Sequence, residues 1–414
     1  MQFLTFLRDN LRWIAGAFLL TFFSTVGQTS FIGSSAGYIR AEYGLSNGGW
    51  GLVYMIGTLG SALTLPYLGQ IVDRFSVRKV VFFVLPMLAL AAVSMALATN
   101  VVWLALTIYL LRLFGQGMSP HTAYTATARW FSAQRGKAVS LVILGHNAGE
   151  AVLIATFAAF AGAIGWRNGW LLAAAAVLLI ALPLVSVLVA VDRTPRNAEV
   201  NPRVVDARDW TRGEVLRDPI FYLFMLGFMA PGFIVTVAFF HQVYLVELRS
   251  WSLGVFASAF IVWAAVNSVF TLISGQLIDR LSGLALLPFV LLPLGAACIL
   301  LGISTASWTP FAFMALVGLS NGFSTTLFGV VWPEMYGLKH LGSIRSLGVS
   351  AGVFASAAGP GITGYLIDAG VSYPGQLVAM GVYCGFASLV MLHVSRQVRA
   401  RNTALHHRPA PVLQ

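Results

Sequence analysis

The chain has 414 residues, 58% hydrophobic and only 9% charged, with a formal net charge of +11. Soluble domains carry roughly 25% charged residues, so this composition excludes an ordinary soluble enzyme, a disordered tail protein and a free nucleic-acid binder. The basic residues sit in short strips between long apolar runs, as in a polytopic membrane protein, and do not form one clustered nucleic-acid footprint.

A helix needs about 20 apolar residues to cross the hydrocarbon core. Twelve segments qualify, near 13–39, 48–71, 79–98, 101–124, 138–164, 169–191, 220–246, 253–275, 284–304, 309–332, 346–367 and 375–395. These are spans 1 to 12. Helices are expected because backbone groups in lipid must bond within the segment; the alternation of a lipid-facing barrel strand is not seen. Span 1 is too long and too polar for a cleaved signal peptide, and more spans follow it.

In chain order, Thr21, Ser24, Thr25 and Gln28 fall at helical spacing in span 1 and predict one polar stripe. Span 4 carries Arg112, Gln116 and Ser119, and span 5 carries His146, Asn147 and Glu150. Gly145 and Gly149 are a small-x-x-x-small pair for close helix approach. Span 7 offers Phe233, Thr236, Phe240, His241 and Tyr244; span 8 offers Trp263, Asn267 and Thr271; span 10 offers Asn321, Ser324 and Thr325. Spans 3, 6, 9 and 12 have no charge in their interiors and are free to face lipid. Cys298 and Cys384 lie in apolar stretches, so neither a disulfide framework nor a metal site is implied.

With the N-terminus placed in the cytoplasm, 21 of the 25 Lys and Arg residues fall on the cytoplasmic side. Arg40, Arg167 and Arg249 fall on the other side, and Arg112 lies inside a span. This asymmetry predicts that both termini are cytoplasmic. The sequence also repeats. Gly69-Gln70-Ile71-Val72-Asp73-Arg74 returns as Gly275-Gln276-Leu277-Ile278-Asp279-Arg280, 206 residues later, and Gly136 and Ser140 match Gly342 and Ser346 at the same offset. Two parallel six-helix repeats are expected: residues 1–191 and 220–395, joined by a cytoplasmic linker, 192–219, and followed by a cytoplasmic tail, 396–414.

This 6+6 plan resembles the major facilitator superfamily. Gly69–Lys79 is similar to its signature loop between spans 2 and 3, with Gly69, Asp73, Arg74, Arg78 and Lys79 on matching positions and Ser76 or Val77 where glycine is usual. Arg112-Leu113-Phe114-Gly115-Gln116-Gly117 is similar to the span-4 motif. Ala128-Arg129-Trp130-Phe131 with Arg135-Gly136-Lys137-Ala138 is similar to a segment of monocarboxylate and oxalate/formate-type carriers. The Asp/Arg pair of span 8 and the basic residue of span 1 in mammalian-type monocarboxylate carriers are missing here. So is the antiporter signature of span 5, although Gly359-Pro360 echoes part of it. The resemblance implies an all-α membrane fold that works by alternating access in the cytoplasmic (inner) membrane. It implies a central cavity lined mainly by spans 1, 4, 7 and 10, and a conformational role for the signature loop and for Asp279 and Arg280.

Arg112 and Glu150 lie near mid-membrane. A central charge costs at least ~2.5–3.5 kcal/mol on insertion scales, so it is paired or lines a wet cavity. On one reading, Glu150 is a protonation site, His146 relays protons, and Arg112 grips an anionic substrate or the Glu150 carboxylate. On the other, the two form a static ion pair that fixes packing. Taken singly, His146, His121 and His241 are read as structural or boundary residues. The expected binding set is Arg112, Gln28, Gln116, Asn267, Asn321 and Tyr244. No Ser/His/Asp set, zinc spacing or phosphate loop points to an enzyme. The expectation is proton-coupled uptake of a small organic anion such as a carboxylate, with efflux of a drug or metabolite as the alternative. Neither cofactor nor nucleic acid is expected; the partners are an anionic small molecule, protons and lipid, and the chain is expected to be monomeric.

Overall fold

The structure is a computed structural model that describes residues 2–69, 71–131, 135–193, 208–337 and 341–406. These residues fold into twelve long helical stretches, some of them interrupted, and two short helices, Ile71–Arg74 and Arg212–Val215, with no strand among them. Stretches 2, 3, 5, 8, 10, 11 and 12 are Asn47–Leu68, Val77–Leu97, Arg135–Ile164, Leu253–Leu281, Thr309–Tyr336, Leu341–Asp368 and Tyr373–His406. Among the described residues, ten stretches are long and apolar enough to cross a membrane. Two further long helices, Asn47–Leu68 and Leu341–Asp368, are glycine-rich and pack on each other. A Cβ at Gly51 would lie 2.5 Å from the Pro360 carbonyl oxygen, and one at Gly364 would strike Asn47 O. Small residues here admit a neighbouring backbone.

Helix starts follow local capping chemistry. Ser46 accepts from Gly49 N at 3.0 Å, and Asn100 accepts from Trp103 N at 2.9 Å. Asp218 caps Pro219–Phe240 by accepting from Ile220 N, with Pro219 in the first turn. Helices Val77–Leu97 and Gly283–Ile303 begin and end 206 residues apart, the offset of the sequence repeat. The last helix does not stop near 395. It runs to His406, where Arg401 is held by Asp218 at 2.9 Å.

The spans also depart from uninterrupted helices. Span 1 runs from Gln2–Phe23 into a tight turn, Ser24–Gly27, and resumes at Thr29–Gly33 and Ala36–Tyr43. Gln28 separates the pieces in an extended conformation, φ −81°, ψ 155°. The expected single stripe of Thr21, Ser24, Thr25 and Gln28 is therefore broken. Thr21 donates to Val142 O on span 5, and Ser24 donates to Thr21 O; these two hydroxyls serve packing. In span 4, Val101–Leu111 opens into a wide π-turn at Arg112–Met118 before Ser119–Trp130. Ser119 closes it by donating to Phe114 O at 2.7 Å. Such turns sit preferentially at functional positions.

The three arginines on the side away from the termini each have local partners. Arg167 donates to Ala96 O and pairs with Glu42, tying down the end of span 3. Arg249 donates to Gly302 O at 2.6 Å, tying down the end of span 9. A cation at a helix C-terminus meets the negative end of the dipole. Arg40 stacks over Tyr244. In the linker, 194–207 lie outside the described residues, as do 407–414 of the tail.

Candidate functional site

The Gly27 and Gly115 backbones touch where the break in span 1 crosses the π-turn of span 4. A Cβ on either would strike the other strand's backbone. Gly145 and Gly149 likewise seat span 5 against Phe18 O and Phe22 O of span 1. These crossings bring the first residues after the break, Thr29 and Ser30, between the two charges.

Arg112 is 2% exposed and Glu150 is 4% exposed. They do not form an ion pair. Arg112 Nη1 donates to Thr29 Oγ1 at 2.9 Å, its guanidinium lies 5.2 Å from the Tyr54 ring, and its Nε has no partner. Tyr54 OH and Thr29 Oγ1 are 2.5 Å apart. Ser30 Oγ donates to Glu150 Oε1 at 2.6 Å, and Glu150 Oε2 has no partner. The sequence reading of mutual pairing is thus replaced by a relay through two adjacent residues. The repeat returns at this point: Thr236 and Ser356, 206 residues after Ser30 and Glu150, lie 3.0 Å apart through their hydroxyls.

A cavity of about 480 Å³ lies between spans 2 and 4 on one side and spans 7, 10 and 11 on the other. Its polar lining is Thr58, Ser61, Arg112, Gln116, Thr236, Asn321 and Ser356. Leu65, Leu113, Phe228, Val235, Val349 and Val353 supply the apolar walls. Among the described residues, the hydrogen bonds joining the first six spans to the last six lie away from the basic loops. Gly48 N donates to Asp368 at 2.8 Å; Gln242 Nε2 donates to Ser30 O at 2.8 Å; Asn267 Nδ2 donates to Asn147 Oδ1 at 2.9 Å; Asn147 Nδ2 donates to Ser268 at 3.0 Å. The cavity lies on the basic side of these contacts.

Of the predicted binding residues, Arg112, Gln116 and Asn321 meet in the cavity. Gln28 is buried at the break in span 1 and does not line it. Asn267 is taken up by the seam with Asn147. Tyr244 is also outside the cavity, beneath Arg40 at 5.9 Å and beside Tyr373. His146 is half-buried one turn from Glu150 and edge-on to Trp263, with ring centres 6.4 Å apart. His241 Nε2 donates to Pro360 O at 3.2 Å, a structural contact between spans 7 and 11.

In the signature loop, Gly69 ends Asn47–Leu68, and a Cβ there would lie 3.2 Å from the His121 ring. Arg74 ends the short helix Ile71–Arg74, and Val77–Leu97 then carries Arg78 over Phe82 at 5.7 Å, with Lys79 beside it. The side chains of Asp73, Asp279 and Arg280 lie outside the described residues. Thr29, Ser30, Tyr54, Asn147 and Gln242 were missed as site residues. The only advance signal for Thr29 and Ser30 was polar density after Gly27, because a continuous helix would have turned them elsewhere.

The sequence profile of the Major Facilitator Superfamily matches residues 17–351. No curated protein is similar enough in sequence to count as a relative. Among solved structures, the chain is similar to a bacterial homologue of the human lysosomal transporter Spinster, inward-facing and unoccupied. The TM-score is 0.72 at 17% identity, covering 97% of this chain and 98% of that one. The occupied inward-facing form of that homologue gives 0.65 at 17%, covering 98% of each. A mutant of the nucleoside transporter NupG gives 0.70 at 11%, covering 92% and 99%. With that fold, two interlocking sets of spans and a cavity between them, the chain belongs to the Major Facilitator Superfamily and is a multi-pass membrane transporter, not an enzyme.

Proposed function

We propose that the protein takes up a small organic anion such as a carboxylate together with a proton, across the cytoplasmic membrane, with both termini in the cytoplasm. The halves 1–191 and 220–395 would rock about the central cavity. One observation carries this reading: the cavity's arginine and a buried carboxyl are held by consecutive residues, Thr29 and Ser30. A guanidinium can grip a carboxylate with two parallel bonds, and Arg112 Nε is without a partner. Ser30 also accepts from Gln242 across the seam through its carbonyl. Protonating Glu150 changes what Ser30 Oγ holds, and that residue is part of the contact that keeps the far side shut. Gln116 and Asn321 face the cavity from opposite halves and can bridge the cargo as they close on it.

Purified protein in proteoliposomes tests this. An inward proton gradient should drive accumulation of a labelled monocarboxylate, and Glu150→Gln should abolish the drive while preserving exchange. Accumulation that ignores the gradient would overturn the coupling. The apolar walls of Phe228, Val235, Val349 and Val353 favour a second reading, efflux of a drug or metabolite. A thermal-shift screen in which cations stabilise and anions do not would select it.

A further inference from the structure

Spans 1, 5 and 6 meet around an aromatic plug. Phe31, Phe157 and Trp170 pack with ring centres 4.8, 5.0 and 5.7 Å apart, and the void beside them is only about 70 Å³. The repeat places spans 7, 11 and 12 in the same arrangement. Adding 206 to the three plug positions gives Val237, Thr363 and Gln376. The plug is gone, and a cavity of about 680 Å³ stands in its place, lined by Thr363 and Gln376. The correspondence is positional: Phe23, Phe160, Gly169 and Ala173 border the small void, and Met229, Leu366, Gly375 and Ala379 border the large one.

The two polar residues, Thr363 and Gln376, are 1% and 6% exposed, and neither Thr363 Oγ1 nor Gln376 Oε1 has a hydrogen-bond partner. Gln376 Nε2 is spent on Val371 O at 3.1 Å. Buried polar atoms are almost always satisfied, so these point to a missing donor. The rest of the lining is apolar except for Tyr383, whose hydroxyl is spent on Leu226 O. The rim residues Leu226, Phe354 and Ile362 are exposed, and around a membrane-spanning bundle that means towards lipid.

The groove also has a direction. Thr363 is five residues from the end of Leu341–Asp368, and Gln376 is three residues into Tyr373–His406. Phe354, at the other end, is about 14 Å further along the helix at 1.5 Å per residue. The polar end therefore sits near the interface away from the termini, and the apolar end reaches towards the midplane.

We propose that this groove binds one acyl chain of a bilayer lipid from that leaflet, with a headgroup N–H or O–H donated to Gln376 and Thr363. An ammonium- or glycerol-headed phospholipid meets this requirement; a choline headgroup has no donor. The site is separate from the cargo cavity and does not depend on the anion reading.

The full-length protein, exchanged into detergent with phosphatidylethanolamine or phosphatidylcholine of the same chains, is examined by native mass spectrometry. Wild type should retain one phosphatidylethanolamine, with phosphatidylcholine about tenfold weaker, the difference one hydrogen bond makes. Gln376→Leu combined with Thr363→Val, which removes both acceptors, should make the two lipids equivalent. The double substitution Thr363→Phe with Gln376→Trp supplies two of the three plug rings that the first six spans carry, and should retain neither lipid while keeping transport. If it does not fold, Ala358→Phe fills the same groove from span 11 and should give the same loss. Equal retention by wild type and a folded, filled variant would overturn the site. Equal retention of the two lipids by wild type would overturn the headgroup assignment.

Discussion

Arg193 and Arg401 make similar contacts at the ends of spans 4 and 10. Arg193, just after the sixth span, donates to Trp130 O at the end of span 4 and lies 4.5 Å from the Phe131 ring. Arg401, in the extension of the last helix, donates to Met335 O at the end of span 10 and lies 4.5 Å from Trp210. Each closes the unsatisfied carbonyl end of a long helix, where a cation also meets the dipole. Charge-assisted bonds of this kind contribute about 1.5–3 kcal/mol. Arg401→Ala should therefore lower stability by about 2 kcal/mol in a thermal melt, and Arg401→Lys should recover less than half, because lysine cannot serve Asp218 and Met335 O with one planar fork.

Arg112→Gln should remove the anion anchor. Losing a charge-assisted bond at a buried position, about 3 kcal/mol, corresponds to about a hundredfold weaker cargo binding. Ligand-induced thermal shift should vanish, while the unliganded protein melts no lower, because an incompletely satisfied buried charge has gone. Anion-dependent stabilisation that survives Arg112→Gln would remove this residue from the site.

Ser30→Ala should separate exchange from accumulation. Glu150 loses its only described hydrogen-bond donor, whereas Thr29 and Arg112 keep theirs. Exchange of labelled for unlabelled cargo should stay within about twofold of wild type, in line with the small effect of losing a contact not made to cargo. Gradient-driven uptake should fall to the level of Glu150→Gln. Equal loss of both activities would show that Ser30 has only a packing role.

Asn267→Ala should loosen the far seam. About 1 kcal/mol of lost hydrogen bonding shifts the open population roughly fivefold. Val243, 8% exposed and packed against the Gly37 position of span 1, gives the readout. A cysteine there should be alkylated about five times faster in the Asn267→Ala background, the native cysteines being buried. An unchanged rate would mean that the Asn147–Asn267 contact does not hold the seam.

The linker's described end should respond to acid. The Thr211 backbone amide, then its hydroxyl, and then Arg208 hold the Glu214 carboxyl below the usual carboxylate range. A depressed carboxyl stabilises the fold above its unfolded pKa and loses that contribution as pH falls through its folded value. Amide exchange over residues 211–217 should therefore accelerate below the ordinary glutamate range, and Glu214→Gln should remove the pH dependence. Flat exchange in wild type would contradict this.

The spans were legible because apolar length is written directly in sequence, and the glycine pair Gly145–Gly149 was legible because small residues four apart mark close approach. Arg112 was found by the cost of a charge in lipid. The seam was not legible. Asn267 reads the same whether it faces a cavity or a partner helix, and only the packing of span 8 on span 5 assigns it to Asn147. The break at Gln28 was also hidden, because neither proline nor a charge marks it. The missed pair Thr29 and Ser30 follows from that one error, since an extended residue resets the register of everything after it.

Thr29 and Ser30 are joined by a single peptide unit, which is planar and stiff, with its two α-carbons 3.8 Å apart. The backbone torsions at Gln28, just before them, are the soft ones. A turn there carries both hydroxyls along together, so the groups they hold on spans 4 and 5 are addressed through one torsional coordinate. A message between those groups would travel the length of one bond vector, with no chain of intermediates in which it could be lost.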